Sequence, residues 1–209
     1  MSTHHPAPFR LPLVAILRGI TPDEAPSHIH ALLDEGYDAI EVPLNSPDWA
    51  TSIGQAVRAC GDRAWIGGGT VLRPEQVDVL RDLGARFIVT PNTQPALIRH
   101  AVDAGLQVLA GFATASEAFA ALDAGAQMLK LFPATTYGTG HVRALRAVLP
   151  AGVPVFAVGG VTPDNLADWL AAGCAGAGTG GELYRAGQPA DTTRMHARRF
   201  RQALVDHAE

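Results

Sequence analysis

Apolar and polar positions follow two alternating rhythms along the 209-residue chain. Short runs rich in β-branched residues or glycine predict strands at 13–18, 39–44, 65–70, 87–91, 107–112, 128–133, 154–159 and 175–179. Between them, alanine- and leucine-rich stretches with helical spacing predict helices at about 22–35, 47–60, 74–83, 94–104, 115–124, 139–149, 163–172 and 191–207. Proline in the first turn, as in Thr21-Pro22-Asp23-Glu24, Arg73-Pro74-Glu75 and Thr162-Pro163-Asp164, suits a helix start, where one N–H is unpaired anyway. Gly36, Gly84, Gly105, Gly125 and Gly173 read as helix stops. Eight units of roughly 20–25 residues predict an α/β fold, a single-domain (β/α)8 TIM barrel over residues 1–209. Residues 1–10 are expected to form a flexible tail. A doubly wound open sheet has the same alternation and stays the alternative. Pro43 cannot donate to a central ladder, so it belongs at the C-terminal edge of the second strand.

Composition narrows the function. Charged residues are only 17% and the net charge is −4, which excludes the concentrated basic face of a nucleic-acid binder. Arg198, Arg199 and Arg201 cluster, and read as a solvated face of the last helix. No apolar run reaches the ~20 residues of a membrane span, so no membrane partner is expected. Two cysteines make no disulfide framework, which suits a reducing cytoplasm. One asymmetry matters for chemistry: of 16 basic residues, only Lys130 is a lysine.

Barrel enzymes carry their chemistry at the C-terminal ends of the strands. Lys130 lies near that end of the sixth strand, where Met128, Lys130 and Phe132 share one face. An inward lysine loses hydration, its pKa falls, and the neutral amine can add to a ketone. Alternatively, it snorkels to water at the strand end. Glu41, flanked by Ile40 and Val42, is an acid among apolar neighbours whose raised pKa would suit proton transfer. It could instead be paired structurally with Arg18 at the end of the first strand. The Arg18 fork could equally hold a substrate carboxylate. Gly159-Gly160 and Gly180-Gly181 follow the seventh and eighth strands, where barrels often bind phosphate on backbone N–H groups. Thr70, after Gly67-Gly68-Gly69, offers a hydroxyl to a carboxylate or a cap to the next helix. The eight histidines form no metal constellation. Neither a metal nor a cofactor is expected.

The segments LVAILRGITPDEA, AIEVPLNSP, GGGTVLRPEQVD, FIVTPN, EAFAALDAGAQMLKLFPA, FAVGGVTPDNLADW and AGCAGAGTGGELYRAG carry a resemblance covering Leu11 to about Ala203. The chain resembles the bacterial 2-keto-3-deoxy-6-phosphogluconate and 2-keto-3-deoxy-6-phosphogalactonate aldolases, the phosphogalactonate branch more closely. The resemblance implies a homotrimeric barrel that cleaves a phosphorylated keto-deoxy sugar acid to pyruvate and glyceraldehyde 3-phosphate. Lys130 would form an imine and Glu41 would move the protons. Arg18 and Thr70 would bind the pyruvate end, Gly159, Gly160, Gly180 and Gly181 the phosphate, and Pro91 and Phe132 would shape the pocket. Asn45 stands where the phosphogluconate branch has arginine, and Gly181 where relatives often have serine. A phosphosugar isomerase or synthase working without an imine, and a non-catalytic sugar-phosphate sensor, are the rival readings.

Overall fold

The computed structural model describes residues 7–208. Its strands are β1 (Leu13–Ile16), β2 (Ala39–Pro43), β3 (Trp65–Gly69), β4 (Phe87–Val89), β5 (Gln107–Phe112), β6 (Met128–Leu131), β7 (Val155–Val158) and β8 (Gly176–Thr179). The helices between and after them are α1 (Ala25–Asp34), α2 (Trp49–Cys60), α3 (Pro74–Asp82), α4 (Pro95–Asp103), α5 (Ala115–Asp123), α6 (Ala134–Arg146), α7 (Leu166–Ala171) and α8 (Ala190–Ala208). Every strand pairs in parallel with its sequence neighbour, and β8 returns to β1, so the sheet closes as the (β/α)8 barrel expected. Closure removes the open-sheet alternative. Pro43 is the last residue of β2, where no further ladder donor is required.

Period-2 alternation divides the strand residues between two apolar layers. Leu129 and Leu131 of β6 and Ile40 and Val42 of β2 face outward into the layer under the helices. Val14, Ala39, Phe87, Val89, Leu109, Met128 and Phe156 fill the barrel interior. Glu41 is two residues past Ala39, and Lys130 two past Met128, so both project inward above that filling. The helices start and stop largely on local chemistry. Thr114 and Glu117 form a reciprocal capping box on α5. The expected stop glycines 36, 84, 105, 125 and 173 each follow the last helical turn of their helix.

Three expectations need correction. Residues 1–6 of the expected tail, His4 and His5 among them, lie outside the described residues. Residues 7–10 are tied down. Phe9 is buried under the barrel, edge-on to Trp65, Phe87 and Phe156 with ring centroids 5.4–6.2 Å away. Asp38 then accepts the Arg10 and Leu11 N–H groups at 2.8 and 3.1 Å. The arginine cluster on α8 is not simply solvated: buried Glu35 takes Arg198 Nη2 at 2.7 Å, with Arg201 at 4.0 Å, fastening α8 to α1. A carboxylate left there without these partners would be costly. The sixth helix starts at Ala134, ahead of the expected 139, and breaks at Gly138.

Candidate active site

Two buried ionisable side chains meet inside the upper barrel. Glu41 is 2% exposed and Lys130 is 5% exposed. Burial is the main influence on each. It pushes the Glu41 carboxyl up to about 7, against the opposing pull of the Lys130 and Arg18 charges. It lowers the Lys130 ammonium below its usual value, with Glu41 acting against that shift and Arg18 adding to it. The snorkelling alternative does not describe this amine, which sits among apolar walls with Nζ 4.6 Å from the Phe132 ring centre. Glu41 Oε2 is buried and, among the described residues, has no hydrogen-bond partner. A carboxylate neutralised by a fork from Arg18 would not leave that oxygen bare. Such a group is poised to exchange a proton with something placed in the barrel mouth.

The space for these groups is cut by glycine. In the β2–β3 ladder Pro43 pairs with Gly69, and a Cβ on Gly69 would overlap the Glu41 carboxylate. Only glycine leaves that inward position free. Gly111 of β5 is the ladder partner of Lys130, and a Cβ there would meet the Pro91–Asn92 backbone. Buried Thr90 holds this approach: Oγ1 donates to the Asn92 carbonyl at 2.7 Å and accepts the Gly111 N–H at 3.0 Å. Pro91 therefore stands beside the strand that carries Lys130's neighbour. Thr70 directly follows β3 with φ of 55°, a conformation that a β-branched residue adopts only under constraint. It does not cap α3. The Gln76 side chain does that work, accepting the Leu72 and Arg73 N–H groups at 2.8 and 3.0 Å.

Beyond this pair a cleft of about 350 Å³ opens between the ends of β1, β6, β7 and β8. It brings together Arg18, Phe132, Gly159, Gly160, Gly180 and Gly181 of the expected site residues. Lys130, Glu41, Thr70 and Pro91 are not on its wall. They lie deeper or on the far side, with Phe132 and Arg18 bridging the two regions. The two glycine pairs differ physically. Gly160 has φ of 75°, and an added Cβ would collide with Thr135, so that turn demands glycine. At Gly180 and Gly181 a Cβ would meet nothing within 4 Å, so glycine there leaves the rim open without being required by packing. Ile16, Val158, Gly178, Glu182 and Tyr184 also line the cleft, and sequence reasoning missed them. For Ile16, Val158 and Gly178 the strand alternation that places Lys130 inward was sufficient signal. Tyr184 had none beyond being an aromatic just after a glycine pair.

A closed barrel with a desolvated lysine beside a buried carboxyl, and a cleft at the C-terminal strand ends, has the architecture of a barrel enzyme. The comparisons narrow this. Residues 9–197 match the family described as KDPG and KHG aldolase, and the chain belongs to that family. It is 59% identical over 191 residues to 2-dehydro-3-deoxy-6-phosphogalactonate aldolase of Escherichia coli (strain K12), covering 91% of this chain and 93% of that one. It is 46% identical over 190 residues to a probable 2-dehydro-3-deoxy-6-phosphogalactonate aldolase of Rhizobium meliloti (strain 1021), covering 91% and 90%. Among solved structures it is similar to native KDPGal, with a TM-score of 0.96 and 55% identity over 98% of this chain and 99% of that one.

Proposed function

We propose that the protein is a class I aldolase that reversibly cleaves 2-dehydro-3-deoxy-6-phosphogalactonate to pyruvate and D-glyceraldehyde 3-phosphate. One observation carries this reading: the only lysine of the chain is buried in the barrel beside a buried carboxyl whose Oε2 has no hydrogen-bond partner among the described residues. The neutral Lys130 amine adds to the C2 ketone, and loss of water gives an iminium. Glu41 removes the C4 hydroxyl proton, the C3–C4 bond breaks, and its electron pair flows into the iminium to give an enamine. The aldehyde leaves. Glu41 then returns the proton to C3, and water hydrolyses the pyruvate iminium to free the lysine. Arg18 and Thr70 bind the pyruvate carboxylate, and Pro91 and Phe132 shape the pocket. Backbone N–H groups around Gly159, Gly160, Gly180 and Gly181 receive the phosphate. Relatives named as phosphogalactonate aldolases at 59% and 46% identity support the substrate class. The working state is a homotrimer in the cytoplasm; no described helix is long and apolar enough to cross a membrane.

Borohydride reduction in the presence of pyruvate should fix a pyruvate-derived mass on the peptide containing Lys130. Absence of that adduct, or an adduct that survives Lys130→Met, removes the imine mechanism. A parallel kinetic comparison of the galactonate and gluconate phospho-substrates checks the substrate. Equal kcat/KM for both makes the enzyme dual-specific.

A further inference from the structure

The two halves of the proposed phosphate cradle are anchored by different means. The Gly159–Gly160 turn is clamped directly: Thr135 donates its N–H to the Gly159 carbonyl at 3.2 Å, and Asn165 Nδ2 donates to the Gly160 carbonyl at 3.0 Å. Gly180 and Gly181 are held instead by the chain that follows: the Gly180 carbonyl accepts N–H groups from Leu183 and Tyr184, and the Gly181 carbonyl accepts Arg185 Nε at 3.0 Å. A Cβ on either glycine would meet nothing within 4 Å. That chain, from Glu182 to Pro189, contains neither strand nor helix.

A partly buried polar chain holds this loop from behind. The side-chain amide of Gln188 folds back inside it. Its Oε1 accepts the Arg185 N–H at 3.0 Å, and its Nε2 donates to the Leu183 carbonyl at 3.0 Å and to Thr193 Oγ1 at 2.7 Å. Both amide protons and the oxygen are used, so the partners fix which end is which. Thr193 is fully buried in the first turn of α8, and its Oγ1 lies 2.8 Å from His28 Nδ1 on α1. Oγ1, which accepts from Gln188, shares one further hydrogen bond with Nδ1, whose direction follows the imidazole tautomer. The His28 ring then stands edge-on to Tyr184 at 4.9 Å, and Tyr184 forms part of the cleft wall. Buried Leu183 and Tyr184 donate their N–H groups back to the Gly180 carbonyl at 2.8 and 2.9 Å. An unbroken path thus runs from α1 and α8 to the Gly180–Glu182 rim.

We infer that Gln188, Thr193 and His28 are positioning residues that fix the Gly180–Glu182 backbone for the phosphate monoester of the substrate. This rests on the reading that the cleft takes the phosphate end. None of the three lines the cleft; they act through the loop. A displacement of about 1 Å in preorganised donors is enough to weaken their action on an anion.

The test uses Thr193→Val, which keeps shape and removes the hydroxyl, alongside Gln188→Met and Thr193→Ser. In the full-length enzyme, Thr193→Val and Gln188→Met should raise KM for the phosphorylated keto acid by roughly tenfold, the size expected for loss of one or two buried hydrogen bonds. Inorganic phosphate should lose a similar factor as a competitive inhibitor. Borohydride trapping of pyruvate alone, which needs no phosphate contact, should match the parent protein, and Thr193→Ser should restore KM. An unchanged KM in either variant overturns the inference. So does pyruvate trapping that falls in step with KM, which marks a merely structural effect, or a Thr193→Ser enzyme as impaired as Thr193→Val. If the parent protein traps no pyruvate, the imine reading fails by itself, while direct titration of parent and variants with inorganic phosphate still judges Gln188 and Thr193.

Discussion

Lys130 and Glu41 are expensive residues where they stand. A buried carboxyl whose pKa is raised stabilises the fold fully below its unfolded value of 4.5 and loses that contribution as pH rises through about 7. Glu41→Gln carries no charge to bury. Its stability relative to the parent, read from denaturant unfolding, should therefore climb as pH goes from 5 to 8, by an amount on the order of 2 kcal/mol. A gap that stays flat or narrows with pH would show that Glu41 stays protonated or is fully paired. The same variant should lose turnover by roughly 10²–10⁴-fold, the usual weight of a positioned acid–base group, in a coupled pyruvate-release assay. The burial of Lys130 and Glu41 was legible in the sequence. A lone lysine and an acid inside apolar strands conflict with local preference, and such conflicts concentrate at working sites. Thr70 was legible as a residue and not as a conformation. Nothing in a one-dimensional pattern says that its backbone turns left-handed, because that follows from how β3 hands over to the next loop.

At the scale of elements, glycines separate into two kinds that look alike in sequence. Gly69→Ala should drive the new methyl into the Glu41 carboxylate, destabilising the fold and cutting turnover together, as melting curves and the coupled assay would record. Gly181→Ala meets open space and should fold as the parent does within about 0.5 kcal/mol. Phe9→Ala should cost about 3 kcal/mol in denaturant unfolding, since it empties an edge-to-face aromatic plug under the barrel, while leaving pyruvate trapping intact. The plug was hidden in the sequence because a single aromatic in a proline-rich leader shows no periodicity. Strand centres were read well and strand ends less so: β1 stops at Ile16 and β4 at Val89, short of the expected 18 and 91. Pairing ends there because the chain leaves the ladder to place Arg18 and Pro91 at the barrel mouth. The early start of α6 is tertiary as well. Threonines and glycines at 135–140 carry no apolar rhythm, yet the Thr135 N–H on the Gly159 carbonyl anchors a first turn that runs to the kink at Gly138.

For the whole molecule, the alternation of elements set the class of fold, but closure of the sheet was beyond local patterning. It depends on β8 meeting β1, between Val14 and Gly178 among others, and such a long-range pairing leaves no spacing signature. Assembly is likewise a property of surfaces, and the homotrimer should appear in light scattering as a mass near three times 21.9 kDa. A monomer mass at micromolar protein would remove that proposal. Drawing all but one of its Lys and Arg side chains from arginine has a practical outcome as well. Apart from the α-amine, the chain offers amine-selective reagents a single side chain, and that one is 5% exposed. Reductive methylation of the folded enzyme, followed by intact mass, therefore reads the occupancy of one side-chain atom over the methyl groups taken up by the α-amine. Any molecule that settles in the barrel mouth will register as methyl groups not added.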